Sequence, residues 1–357
     1  MPRFYCIFLS FLTVGATDLC AQQPITWSDP VVLENEFSSW ARMVQLNDGS
    51  WLAAYMVTTT PNRIRVKRSF DRMRTWRQVS EIVEDGRDLD NPSLCLLPDG
   101  TVEIAIRSVI VGQSYWIETY RSIDMGSSFQ YQSQVDWDHH VSGVFEPYVY
   151  VLPDGSLACF YTNDTHVQET PAYSQVLSEK VSTDGGYTWG PEIFAIAQPG
   201  AARPGEANIV PLPEGVLGMF FEMCGTENCV GHLSYSTDGV NWSGIGPVIP
   251  QTFQNVQAVR MTNGLIAATS NLKDVVISTD FANSWVDTHQ YVFVNGSWPG
   301  IYQTGDNEFA IVMTGGGPQA QAGEYIRFGT INVADLQTSS TVGTCRPPNL
   351  TRPQNCH

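Results

Sequence analysis

Charge is scarce in this chain, and positive charge scarcest. Of 357 residues only 15% are Asp, Glu, Lys or Arg, and 36 acids face 19 bases, a formal net charge of −17 at pH 7. That deficit of cations counts against a nucleic acid or an anionic membrane surface as partner, because both are held by neutralising their phosphates. It also sits poorly with a polyanionic substrate unless a local basic pocket overrides the average. No segment keeps a helical apolar period, and past the N-terminus no apolar run is long enough to cross a bilayer. The cysteines and the six histidines fall into no zinc spacing. Only His139-His140 cluster, and they read as a solvated loop. Gly315-Gly316-Gly317 lacks the Lys-Ser/Thr of a phosphate loop and reads as a turn. No metal or cofactor is expected.

What the chain has instead is turn residues and aromatics, with 30 Gly, 21 Pro and 11% Phe, Trp and Tyr, the composition of many short strands. One phrase recurs five times: Ser, any residue, Asp, a turn, then an aromatic. It runs from Ser69-Phe70-Asp71 to Trp76, from Ser122-Ile123-Asp124 to Phe129, and from Ser182-Thr183-Asp184 to Trp189. It returns from Ser236-Thr237-Asp238 to Trp242 and from Ser278-Thr279-Asp280 to Trp285, with starting serines 53, 60, 54 and 42 residues apart. A repeat of this period marks a propeller or solenoid built from one small sheet per unit. The phrase resembles the Asp-box of sialidase-like β-propellers. Its chemistry is that of a hairpin lock: the carboxylate accepts the turn's own N–H groups while the aromatic buries itself against the sheet. These five aspartates are therefore read as structural.

A second repeat runs ahead of each box, an apolar strand that reaches a Gly turn and returns. The turns are Asp48-Gly49, Asp99-Gly100, Asp154-Gly155, Glu214-Gly215 and Asn263-Gly264, with a degenerate sixth at Gly305-Asp306. Six hairpins predict an all-β, six-bladed propeller, and the strand near residues 30–33 is expected to close the ring, since an open edge invites pairing with other chains. Counting from each turn glycine aligns the blades. Nine residues before it stand Trp40, Asn91, Glu146, Glu206 and Asn255; seven after it stand Met56, Arg107, Thr162, Glu222 and Asn271. These ten positions should ring one mouth of the central channel. There Glu146, Glu206 and Glu222 come together, and clustered carboxylates shift one another's pKa so that one can hold a proton while another stays ionised. Two carboxylates flanking a cleft are what glycoside hydrolysis requires.

The wording around these glutamates is more specific. Asp88-Leu89-Asp90-Asn91-Pro92, Phe145-Glu146-Pro147, Phe221-Glu222-Met223-Cys224-Gly225 and Ser297-Trp298-Pro299-Gly300 fall at the mouth in four blades. With the boxes, they make residues 25–335 resemble the exo-arabinanases of glycoside hydrolase family 93. The resemblance implies a six-bladed propeller that attacks α-1,5-linked L-arabinan from an end and releases arabinobiose with retention, with Glu146 as nucleophile and Glu222 as general acid/base. A neutral furanose polymer is gripped by stacking and hydrogen bonds. Trp40, Tyr148 and Trp298 are the candidate platforms, and Arg42, Asp90, Asn91, Arg107 and Asn271 the candidates for hydroxyl contacts. Glu206 departs from the family's wording, where an apolar residue is expected, and adds a third carboxylate to the binding site. Two alternatives stand beside this reading. A sialidase would need Arg42, Arg260 and Arg327 as a carboxylate-clamping triad, and Arg42 is followed by Met43-Val44 rather than Ile-Pro. A propeller that binds glycans without catalysis is the other.

The N-terminus reads as a secretory signal over residues 1–21, with Arg3, an apolar core from Phe4 to Val14 and a cleavage site near Leu19-Cys20-Ala21. The expected product is a secreted monomer: a propeller over 22–335 and a tail over 336–357. Removal of Cys6 and Cys20 leaves six cysteines, suited to an oxidising compartment. Cys224 and Cys229 would close a short loop, Cys345 and Cys356 would staple the tail, and Cys95 and Cys159 read as buried thiols. Sequons stand at Asn163, Asn241, Asn295 and Asn349.

Overall fold

The turn glycines do what the repeat requires. Gly49, Gly100, Gly155, Gly215 and Gly264 all lie at positive φ, where a residue without Cβ is unstrained, and each connects an inner strand to its antiparallel neighbour. The computed structural model describes residues 23–139, 143–317 and 322–336, and the backbone of 341–344. Six antiparallel sheets follow in chain order. Their inner strands are Ser38–Gln45, Asp88–Leu96, Val144–Val151, Arg203–Pro211, Gln257–Arg260 and Ser297–Gln303. Each inner strand touches the inner strand of the next blade, and the sixth touches the first. The ring is closed.

The core is six apolar layers, one between each pair of neighbouring blades. Leu52 and Ile64 of blade one pack with Ile104 and Ile106 of blade two; Phe160 of blade three packs with Met219 and Phe221 of blade four. The second strands Trp51–Val57 and Leu157–Asn163 are buried at every residue, because both faces of a blade are covered. The boxes lock the outer hairpins as expected. Asp184 accepts the Ser182 and Thr188 hydroxyls at 2.7 and 2.6 Å and the Tyr187 and Thr188 amides at 3.0 and 2.9 Å. Asp71, Asp124, Asp238 and Asp280 accept from their own turns in the same way. Box tryptophans also reach back to the preceding blade: the indole N–H of Trp189 donates to Ser133 and that of Trp242 to Glu179.

Blade six closes with chain from the N-terminal side, as predicted, but with two short strands. Ile25–Trp27 and Val31–Glu34 both pair with Glu324–Ile331. Within the segment read as the tail, Thr341–Thr344 pairs with Ser284–Tyr291 and extends blade five to five strands. The Asn163 sequon cannot be an acceptor in the folded protein: its side chain is buried and its amide donates to Glu192 at 2.8 Å. Residues 1–22, His140, Cys345, Cys356 and Asn349 lie outside the described residues, and with them the signal and the tail disulfide.

Candidate active site

Five of the six inner strands are distorted at one end. The ladder loses register between Ser39 and Arg42, Asp90 and Ser93, Phe145 and Tyr148, Gly205 and Asn208, and Ser297 and Gly300. At each break one residue turns left-handed: Trp40 (φ 61°), Asn91 (45°), Glu146 (57°), Glu206 (57°) and Trp298 (53°), with Asn255 (47°) at the same place before the fifth inner strand. None is glycine. A side chain held at such φ costs about 1–3 kcal/mol, and bulges of this kind re-aim side chains next to functional sites. Five of the six are the residues aligned from the turn glycines; the sixth, Trp298, was found by wording alone, because its hairpin is degenerate. The strand-end set is equivalent too, since Met56, Arg107, Thr162 and Glu222 pair with the residue just before the bulge.

Residues at second-strand ends hold the bulged residues in place at three junctions. The backbone N–H of Trp40 donates to Thr314 at 3.2 Å, that of Trp298 to the Asn271 side-chain oxygen at 2.7 Å, and that of Asn255 to Glu222 Oε2 at 2.6 Å. Asn271, expected at sugar hydroxyls, thus has its oxygen committed to the backbone. Glu222 Oε1 lies 3.4 Å from Cys224 Sγ, and Cys224 and Cys229 form the short-loop disulfide. Cys95 and Cys159 are free, Cys159 fully buried.

A narrow cavity of about 20 Å³, partly open to solvent, is lined by Trp40, Arg42, Asn91, Glu146, Tyr148 and Glu206, among others. Glu222 is not part of that lining and stands to its side. The mouth nonetheless joins all three glutamates: Gly205 pairs with Glu222 in the ladder, and a Cβ on Gly205 would come 3.2 Å from Glu146 Oε2. Thr162 donates its hydroxyl to Glu146 at 2.7 Å. The Arg42 guanidinium lies 3.8 Å from Glu206 and also donates to the carbonyls of Ala41 and Trp298. Arg107 pairs with Asp90 at 3.2 Å, and Arg203 with Asp164 at 3.3 Å. The Trp40 and Trp298 rings meet at 5.0 Å. Tyr148 lines the cavity, but it stacks on Tyr150 and packs into the layer between blades three and four, a core role as much as a platform.

Burial and like charge act together here. Burial pushes Glu146 well above the ordinary carboxylate range, and the nearby Glu206 and Glu222 push it further. Burial, then Glu206, raises Glu222 to about 7. Glu206 is raised by burial while Arg42 opposes the rise, and burial lifts Asp90 to about 6 against its partner Arg107. These are the shifts that clustered carboxylates in a poorly solvated site produce.

Sequence counting missed two contributors. Gln257 lines the cavity from blade five. The long connection after Leu157–Asn163 carries Asp164, which holds Arg203, and Gln175, which donates to the Pro204 carbonyl at 2.8 Å; its unusual length was the available signal. The sialidase triad does not assemble. Arg260 sits toward the turn end of its strand, against Phe281, and Arg327 donates to the Ser28 and Val292 carbonyls. Asp274, Asp287 and His289 gather in blade five, but the Asp274 carboxylate already accepts the Val275 and Gln290 amides.

No family model matches this chain, and no curated protein sequence does. Solved structures do. An α-L-arabinanase of Penicillium chrysogenum complexed with arabinobiose superposes with a TM-score of 0.72 at 19% identity, over 88% of this chain and 100% of that one. The GH93 α-L-arabinofuranosidase of Fusarium graminearum, also with arabinobiose, gives 0.72 at 17% identity, over 87% and 99%. A Hadza microbial sialidase gives 0.62 at 14% identity, over 84% of this chain and 67% of that one. In fold, this chain is a six-bladed, sialidase-like β-propeller similar to the arabinanases and arabinofuranosidases of family 93.

Proposed function

We propose that the protein is a secreted retaining glycoside hydrolase acting on arabinan, with Glu146 as nucleophile and Glu222 as general acid/base. The observation that carries this reading is the convergence of partly buried carboxylates at one channel mouth, on strands distorted to present them. Retention needs one carboxylate ionised to attack the anomeric carbon and one protonated to give its proton to the departing glycosidic oxygen. The Thr162 hydroxyl favours the ionised form of Glu146 against the burial and like charges that raise it, while Glu222, raised to about 7, keeps a proton in mildly acidic solution. After the glycosyl–Glu146 ester forms, the ionised Glu222 takes a proton from water, which then attacks the same carbon and releases the sugar. The Trp40–Trp298 pair offers apolar faces to a neutral sugar, and the Asp90–Arg107 pair and Asn91 offer hydroxyl partners nearby.

The exo mode and the release of arabinobiose rest on the sequence resemblance and on fold neighbours captured with arabinobiose. A sialidase reading is disfavoured by three arginines that do not converge. The deciding assay incubates the protein with debranched linear arabinan and, separately, with a sialoside. Arabinobiose of retained anomeric configuration, read by NMR at early times, supports the proposal; free sialic acid, or no product from either, refutes it.

A further inference from the structure

Three carboxylates share the mouth, but a glycosidase of the proposed kind uses two. We infer that Glu206 is a charge-setting residue: paired with Arg42, its carboxylate forces a proton onto the Glu146–Glu222 pair and so keeps an acid loaded. The inference rests on the functional reading above for its meaning, though its electrostatic content can be measured without substrate.

The argument begins with who neutralises whom. Blade one contributes Arg42, among the described residues the only guanidinium paired with a mouth glutamate. In blade two Arg107 is taken by Asp90. On the strand of Glu206 itself, Arg203 is taken by Asp164 of blade three. Blade five faces the site with the neutral Asn255 and Gln257. Behind Arg42, in blade six, burial holds Glu324 up to about 8, so it adds no full charge at neutral pH. Glu146, Glu206 and Glu222 therefore confront one available cation, and like charges this close in a poorly solvated site cannot all persist. A proton must be bound.

The partners of each glutamate narrow where it sits. Glu206 has the guanidinium. Glu146 has the Thr162 hydroxyl, a donor that favours its ionised form. Glu222 has one backbone donor on Oε2, and its Oε1 faces the disulfide sulfur of Cys224, which has no proton to give. Glu146 and Glu222 thus have one hydrogen-bond donor each, so the proton belongs to the pair. Position makes Glu206 the residue that charges this pair: it follows Gly205, which pairs with Glu222, and lines the same cavity as Glu146.

The test labels the full-length protein with glutamate carrying carbon-13 at the carboxyl and follows the Glu222 resonance, assigned by its loss in Glu222→Gln, through a pH titration. Glu206→Gln should lower the Glu222 midpoint by about one pH unit or more, the range set by a close like charge. Glu206→Asp should keep most of the native value. Glu206→Met gives the same lowering if charge is the cause, and replaces the Gln variant should that one fail to fold. An unmoved midpoint in the neutral variants overturns the inference. In kcat/KM on arabinan, the basic limb should move to lower pH by the same amount. Loss of all turnover in Glu206→Gln on both arabinan and an activated aryl arabinoside would make Glu206 catalytic and also overturn it. If the native protein does not cleave arabinan, the functional reading fails, while the titration still decides the role of Glu206.

Discussion

Glu179 offers a clean measurement of what a blade interface costs. It is fully buried on the third strand of blade three, Val176–Ser182. One carboxyl oxygen accepts the Trp242 indole N–H at 3.3 Å, and the other has no partner among the described residues. Burial, with no cation to oppose it, lifts the carboxyl to about 8. The sign follows from the proton count. Between the unfolded value near 4.5 and about 8, the folded state binds more protons than the unfolded one. Stability from this group is therefore complete below the unfolded pKa and is lost as pH rises toward the folded pKa, at up to about 1.4 kcal/mol per pH unit. Replacing Glu179 by Gln keeps the shape and the indole acceptor and removes the titration. Comparing Glu179→Gln with the native protein cancels every other titrating group. Between pH 5 and pH 8 the variant should gain on the order of 3 kcal/mol relative to native, or about 5 °C in melting temperature for a chain of this size. Urea unfolding followed by tryptophan fluorescence at both pH values provides the measurement. Parallel pH dependences for the two proteins would show that Glu179 is not held protonated, and would refute the account of this interface.

Glu146→Gln should abolish arabinan turnover and leave the circular dichroism spectrum unchanged; full activity in the folded variant sinks the nucleophile assignment. Asp184→Ala should lower the melting temperature above pH 4, where the native carboxylate is ionised, and the difference should shrink as pH falls toward 2, the region to which its turn donors lower it. Turnover well below the melting temperature should not change, and a large loss of activity without loss of stability would contradict the lock. Replacing both Cys224 and Cys229 by Ser should reduce turnover more than stability, because the bridge closes a short loop yet ties the strand end of Glu222 to Cys229, whose carbonyl accepts the Gln254 amide at 2.8 Å beside the Asn255 bulge. A displacement of about 1 Å can cost on the order of 10²-fold in rate, so equal losses in stability and turnover would remove the positioning role.

The repeat was fully legible in the sequence because each blade solves the same local problem. Asp-Gly and Asn-Gly turns, alternating apolar strands and the Ser-x-Asp lock are short-range chemistry, and short-range chemistry is written in consecutive residues. Counting from turn glycines even placed Glu146, Glu206 and Glu222 in register, since a hairpin converts sequence distance into height along the channel. The count failed for Trp298, where the hairpin lost its standard turn, and for Gln257, two residues beyond the aligned position. What only the tertiary structure decided is which side chains meet across blades. That Arg42 lies against Glu206, some 160 residues away, while Arg107 and Arg203 are taken by other carboxylates, depends on the closure of the ring. That Asn271 spends its oxygen on the Trp298 backbone, and that Asn163 is buried, depends on the same closure. Repeats fix the blade because its bonds are local; the charge balance of the mouth is a sum over all six blades, and no single stretch of sequence contains it.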